Sequence, residues 1–128
     1  MSELNVSLQT KITTIILLIR SHTMQHIQKV SPREAYAAYM LGTVLVDVRA
    51  PQDVAHKSID VKRFMNLPFE ELSQRFDEIP GNKPVVFLSR IGLKGNEAAR
   101  FMQEHGYENV AVMDGGLNAW EEEGLPIR

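Results

Sequence analysis

Four consecutive apolar residues, Val85-Val86-Phe87-Leu88, run into Ser89-Arg90-Ile91-Gly92-Leu93-Lys94-Gly95 and then into a segment with a helical period. No other stretch constrains the fold as much. A short run that is apolar without alternation suits a strand buried on both faces. From Asn96 onward, Ala98, Phe101, Met102 and His105 recur at helical spacing, and Glu97, Arg100 and Glu104 fall outside that stripe. Gly106 supplies a C-terminal stop. The expectation is a buried strand, a loop from Ser89 to Gly95, and a helix opening near Asn96.

That junction has a chemical consequence. The first N–H groups of a helix have no intrahelical partners, and the helix dipole makes that end positive. Gly92 and Gly95 let the backbone curl so that several N–H groups point at one spot, and Arg90 and Lys94 add two positive charges. Residues Ser89, Arg90, Ile91, Gly92, Leu93, Lys94 and Gly95 therefore read as a cradle for an anion. The same residues would also make a plain strand-to-helix connection with two turn glycines and two solvated cations.

The remaining segments alternate in the same manner. Ile27–Val30 reads as an edge strand. Ser31, Pro32 and Glu34 form a helix start with a capping box, and that helix stops near Gly42. Val44–Val48 is a buried strand ending in a polar residue, Asp47, with Arg49 just beyond. Phe64–Pro68 is extended, and Phe69, Leu72 and Phe76 share one helical face. Pro80-Gly81-Asn82 is a turn. Tyr107–Met113 is the last strand, Asp114-Gly115-Gly116 a tight turn, and Leu117–Trp120 the start of a closing helix. This order predicts an α/β fold: a mostly parallel sheet with helices on both faces and right-handed crossovers. Sites in such sheets lie beyond the carboxyl ends of the strands, where Ser89, Asp47 and Arg49 would meet.

With 128 residues, the chain is one domain's worth. A net charge of −2 without any basic run argues against nucleic acid as a partner. The absence of cysteine excludes disulfides, thiolate metal sites and a thiol nucleophile. Glu121-Glu122-Glu123 reads as a solvated helix face and His56 as a surface residue, so neither a metal nor a cofactor is expected. Near the N-terminus, Leu4, Leu8, Ile12, Ile15, Ile16 and Ile19 share one helical face. The apolar run Ile15–Ile19 is five residues long, far short of the ~20 that span a bilayer. No small-residue cleavage pattern follows it. An extra amphipathic helix is expected there, contacting the domain, a second copy or another protein through residues 4–19. Peripheral membrane contact and a start at Met24 are the alternatives, and the expected compartment is the cytoplasm.

Three stretches resemble one known family. In rhodanese-like domains a buried strand is followed by Cys-Arg-x-Gly-x-Arg and then by a helix containing Glu-Ala-Ala. The same register here holds Ser89-Arg90-Ile91-Gly92-Leu93-Lys94 and then Glu97-Ala98-Ala99. Leu45–Asp53 resembles the family's LxDVRxxxE motif, and Gly115-Gly116-Leu117-Asn118-Ala119-Trp120 its Gly-Gly-x-x-x-Trp motif. The resemblance covers residues 27–128 and leaves 1–26 as an N-terminal extension. It implies the rhodanese-like three-layer fold. It also implies supporting roles for Asp47, Arg49, Asp53, Gly115, Gly116 and Trp120, with a local Arg49–Asp53 ion pair and an indole covering the sheet's edge. The six-residue loop resembles the sulfur-transfer branch, because the family's phosphatase relatives have a loop one residue longer. Four positions depart from the family: Ser89 for the cysteine, Lys94 for the closing arginine, and Lys57 and Ser58 for the Gly-His of a Gly-His-Ile ending.

The implied activity is transfer of a sulfane sulfur, from thiosulfate or a persulfide donor to an acceptor such as cyanide, through a cysteine persulfide held in the cradle. That chemistry needs a thiolate, and a thiol titrates at about 8.5 or lower at a helix N-terminus. A hydroxyl is hardly ionised near neutral pH without a partnered base, so Ser89 is not expected to turn over sulfur. The alternative is a non-catalytic module that binds a small sulfur-containing or other oxyanion, or a protein. Two charge-assisted hydrogen bonds of about 1.5–3 kcal/mol each suggest millimolar affinity. Lys94 offers a point charge where arginine offers a planar fork. A serine hydrolase is disfavoured because Leu88 and Arg90 flank Ser89 without the Gly-x-Ser-x-Gly pattern.

Overall fold

The uninterrupted apolar strands pair in parallel. The structure, a computed structural model, describes residues 10–15 and 26–128. Five strands form one sheet: β1 (Gln28–Val30), β2 (Val44–Asp47), β3 (Met65–Asn66), β4 (Val85–Leu88) and β5 (Val110–Met113). Their order is β1-β5-β4-β2-β3, and every pairing is parallel. Asp47 stands level with Leu88, so β2 and β4 release their chains at the same end of the sheet. Among described residues 26–128, five α-helices surround the sheet: α1 (Pro32–Met40), α2 (Pro51–His56), α3 (Leu72–Arg75), α4 (Leu93–Glu104) and α5 (Gly116–Glu122).

The period of two along each strand sorts the core into two layers. Val85 and Phe87 of β4 face Ala98, Ala99 and Met102 of α4, together with Leu67, Leu72 and Ile79. Val86 and Leu88 face Ala35 of α1 and Leu117 and Trp120 of α5, together with Ile59 and Val61. The capping box of α1 is formed. Ser31 Oγ accepts the Glu34 N–H at 3.1 Å, and the Ser31 N–H donates to Glu34 Oε1 at 2.8 Å. The Ser31 N–H and hydroxyl hold the Glu34 carboxyl below its ordinary range.

Several local expectations are corrected. Helix α4 begins at Leu93, three residues before Asn96, because Gly92 takes φ 102° and caps it; the Asn96 N–H closes on Gly92 O at 3.0 Å. The helical face at Phe69, Leu72 and Phe76 is one α-turn, α3, between 3-10 turns at Phe69–Glu71 and Phe76–Glu78. Trp120 does not cover the sheet's edge. It is fully buried over a sheet face, 5.3 Å from the Tyr36 ring, and its indole N–H donates to Pro126 O at 2.7 Å. Glu121 and Glu122 are exposed, as a solvated helix face would be, with Glu121 pairing with Lys57 at 3.1 Å and Glu123 with Arg33 at 3.5 Å.

Residues 10–15 are helical, with Ile12 and Ile15 half exposed. The rest of the amphipathic stretch over 4–19 lies outside the described residues. Among the described residues, no helix is long and apolar enough to cross a membrane.

Candidate functional site

Strand β4 delivers Ser89 to the carboxyl end of the sheet, where it is only 4% exposed. Its Oγ accepts the Gly92 N–H at 3.0 Å and the Gly95 N–H at 3.1 Å. Space at Gly95 is tight: a Cβ there would lie 3.0 Å from Val112 Cγ2 and 3.4 Å from Ser89 Oγ, so those side chains would have to give way. Lys94 and Gly95 thus belong to the first turn of α4, not to a loop before it. Among the described residues, the N–H groups of Ile91, Leu93 and Lys94 have no hydrogen-bond acceptor. The curled backbone therefore presents unused donors, as an anion cradle needs.

Helix α5 holds that curl in place. The Leu117 N–H donates to Ser89 O at 2.8 Å and the Asn118 N–H to Arg90 O at 3.1 Å. In a planar trans peptide the C=O and the next N–H point in opposite directions. Drawing the two carbonyls onto α5 therefore turns the Arg90 and Ile91 N–H groups away from α5. The orphan donors of one helix orient the donors of the loop before another. Such an approach requires Gly116, since a Cβ on it would sit 2.6 Å from Arg90 C and 2.7 Å from Arg90 O.

A buried charge pair braces the neighbouring strand end. Asp47 is fully buried. Its carboxylate accepts the Arg49 N–H at 3.0 Å, Nε–H at 3.1 Å and Nη2–H at 2.9 Å. Arg49 also donates to Lys57 O at 2.8 Å, tying the end of β2 to the end of α2. The expected Arg49–Asp53 ion pair does not form; Arg49 meets Asp53 only at its main-chain oxygen, at 3.4 Å. Arg49 lies in a bend just past β2, where its main-chain N–H donates to the carboxylate of Asp47 two residues back and keeps its side chain beside that group. Asn66, which the sequence did not single out, donates to Asp47 O at 3.0 Å and Arg49 O at 2.9 Å. Its only sequence signal is a polar residue closing an extended segment.

These elements enclose a cavity of about 590 Å³ lined by, among others, Arg49, Lys57, Glu70, Ser89, Arg90 and Lys94. Lys94 is already engaged: its ammonium pairs with Glu70 at 3.2 Å and stands 4.8 Å from the Phe69 ring centroid. The Glu70 carboxyl is held below its ordinary range by its own backbone N–H and by Lys94. Glu70 has no signal in the sequence, being 24 positions from Lys94. The Arg90 guanidinium is exposed and has no partner among the described residues. His56 is exposed and lines the cavity, but among the described residues no imidazole or carboxylate hydrogen-bonds to Ser89 Oγ. Ser58 is buried, and Lys57 turns to Glu121. Asp53 lines the cavity mouth, and Gly115 and Gly116 make the turn into α5.

A model of the rhodanese-like domain matches residues 31–123. The chain belongs to the rhodanese-like family. It is 34% identical over 84 residues to a sulfurtransferase of Allochromatium vinosum, covering 66% of this chain and 77% of that one. It is 31% identical over 104 residues to the thiosulfate sulfurtransferase GlpE of Haemophilus influenzae, covering 78% and 93% respectively. The solution structure of a polysulfide-sulfur transferase homodimer from Wolinella succinogenes superposes with a TM-score of 0.71 at 23% identity, covering 93% of this chain and 90% of that one. That likeness shows the same fold. Within a rhodanese-like frame, Ser89 stands where the resemblance places the sulfur-carrying cysteine, and the chain contains no cysteine elsewhere.

Proposed function

We propose that this rhodanese-like domain keeps the family's oxyanion cradle and does not itself transfer sulfur. The observation that carries the reading is the environment of Ser89 Oγ, which lies where the Gly92 and Gly95 N–H groups converge and, among the described residues, has no base hydrogen-bonded to it. Two N–H donors would stabilise a thiolate or a bound sulfur anion at that point. A hydroxyl there has no partner to take its proton, so it is not activated as a nucleophile. The unused N–H groups of Ile91, Leu93 and Lys94, with the Arg90 guanidinium, supply the donors for a small sulfur oxyanion such as thiosulfate. Asp47 and Arg49 brace the site from β2, and Gly115, Gly116 and Trp120 seat α5 against the loop. The proposed compartment is the cytoplasm, and the half-exposed Ile12 and Ile15 support a protein contact through residues 4–19.

An amide-resolved titration with thiosulfate tests the reading. Saturable shifts at Arg90, Ile91, Leu93 and Lys94 are expected, with a dissociation constant of order millimolar. Unmoved loop amides would remove the cradle, and thiocyanate formed on adding cyanide would remove the claim of inactivity.

A further inference from the structure

A second cavity, of about 580 Å³, lies beside β3 and at the amino ends of β2 and β4. Thr43 and Val44 open β2, Lys83 precedes β4, and 62–64 lead into β3. The cavity shares no lining residue with the one at Ser89. Four basic residues line it, Lys62, Arg63, Lys83 and Arg128, and no Asp or Glu does. In a chain with 14 Lys and Arg against 16 Asp and Glu, that is a local reversal of the overall balance.

All four residues are exposed, and the two arginines among them are held against rings without being neutralised. Among the described residues, none of the four side chains pairs with a carboxylate. The guanidiniums lie against rings instead, Arg63 at 5.9 Å from the Tyr39 centroid and Arg128 at 5.9 Å from the Phe64 centroid. A ring face restrains a guanidinium without cancelling its charge. Arg128 Nε–H also donates to Ser58 Oγ at 3.4 Å, which leaves its two Nη groups for a ligand. The backbone is pinned as well. The Arg63 N–H donates to Tyr39 Oη at 3.2 Å, and the main chains of Arg128 and Ser58 exchange two hydrogen bonds at 3.0 Å. The Arg128 main-chain oxygen is thereby engaged and turned to Ser58.

We propose that this cavity is a binding site for a small polyanion carrying two or more phosphoryl or carboxylate groups. Four cations without carboxylate partners around one cavity repel one another, and a ligand with spread charge relieves that repulsion at more than one point. Arginine forks favour oxyanion groups over simple halides. The volume suits a small molecule. The site is independent of the Ser89 cradle.

The test is an amide-resolved titration of the full chain with pyrophosphate and, separately, with citrate. Saturable shifts at Lys62, Arg63, Phe64 and Lys83 are expected with at least one of the two. Tighter binding of pyrophosphate would assign a phosphoryl ligand, and tighter binding of citrate a polycarboxylate. The Lys62→Gln/Lys83→Gln double variant should lose affinity by about tenfold while keeping its melting temperature. The proposal is overturned if neither anion shifts these amides saturably, if shifts are confined to 90–94, or if the double variant binds as tightly as the parent.

Discussion

Replacing Gly116 with alanine should cost more than its backbone conformation alone explains. Gly116 has φ 61°, and a non-glycine residue there costs about 1–2 kcal/mol. The added Cβ would meet backbone rather than a flexible side chain: Arg90 C at 2.6 Å, Arg90 O at 2.7 Å and Ser89 O closer still. Helix α5 must then move off the loop, stretching the Leu117–Ser89 and Asn118–Arg90 hydrogen bonds. Their loss adds about 1–1.5 kcal/mol each. The total is about 3–5 kcal/mol, a large share of the stability of a small domain. Gly124 is the matched control, because its φ is 75° and nothing lies within 4 Å of a Cβ added there. Urea unfolding of Gly116→Ala and Gly124→Ala should therefore differ by about 2–3 kcal/mol, with similar slopes. The loop amides of Gly116→Ala should also lose their thiosulfate response. Equal destabilisation of the two variants would refute the role given to α5.

Two further substitutions probe the braces around the cradle. Asp47→Asn leaves the Arg49 guanidinium without its buried carboxylate and should lower stability by about 3 kcal/mol in urea unfolding; a loss under about 1 kcal/mol would contradict the bracing role. Glu70→Gln releases Lys94 and should tighten thiosulfate binding about two- to fivefold at low salt, fading near 1 M salt; unchanged affinity would show that Lys94 takes no part. In the parent chain the Glu70 carboxyl is held below its ordinary 4.5, so the tether persists at neutral pH and is lost only as pH falls through that lowered value.

The fold was legible because its strongest signals are local. Four apolar residues without alternation already specify a doubly covered strand, and Ser31-Pro32-Arg33-Glu34 carries its own capping geometry. The cradle was legible as a run of residues but not in its boundaries. Asn96 and Gly95 suggested a later helix start, whereas the left-handed turn at Gly92 sets it. The Asp47–Arg49 pair could have been foreseen from the habit of an Asp carboxylate to accept the N–H two residues on. Lys94 and Glu70 meet only because the turns after β3 fold back over α4, and nothing local encodes that. Likewise, the grip of α5 on the Ser89 and Arg90 carbonyls joins main-chain groups, whose partners leave no trace in side-chain identity beyond the paired glycines.

Thiosulfate-to-cyanide sulfur transfer, measured side by side for this chain and its Ser89→Cys variant, tests the central claim most directly. Thiocyanate formation by the variant alone is the predicted result: the cradle is intact and only the sulfur-carrying atom is missing. Turnover by the serine chain would contradict the claim that it is inactive. Failure of both would contradict the claim that Ser89 alone separates this site from its sulfur-transferring relatives.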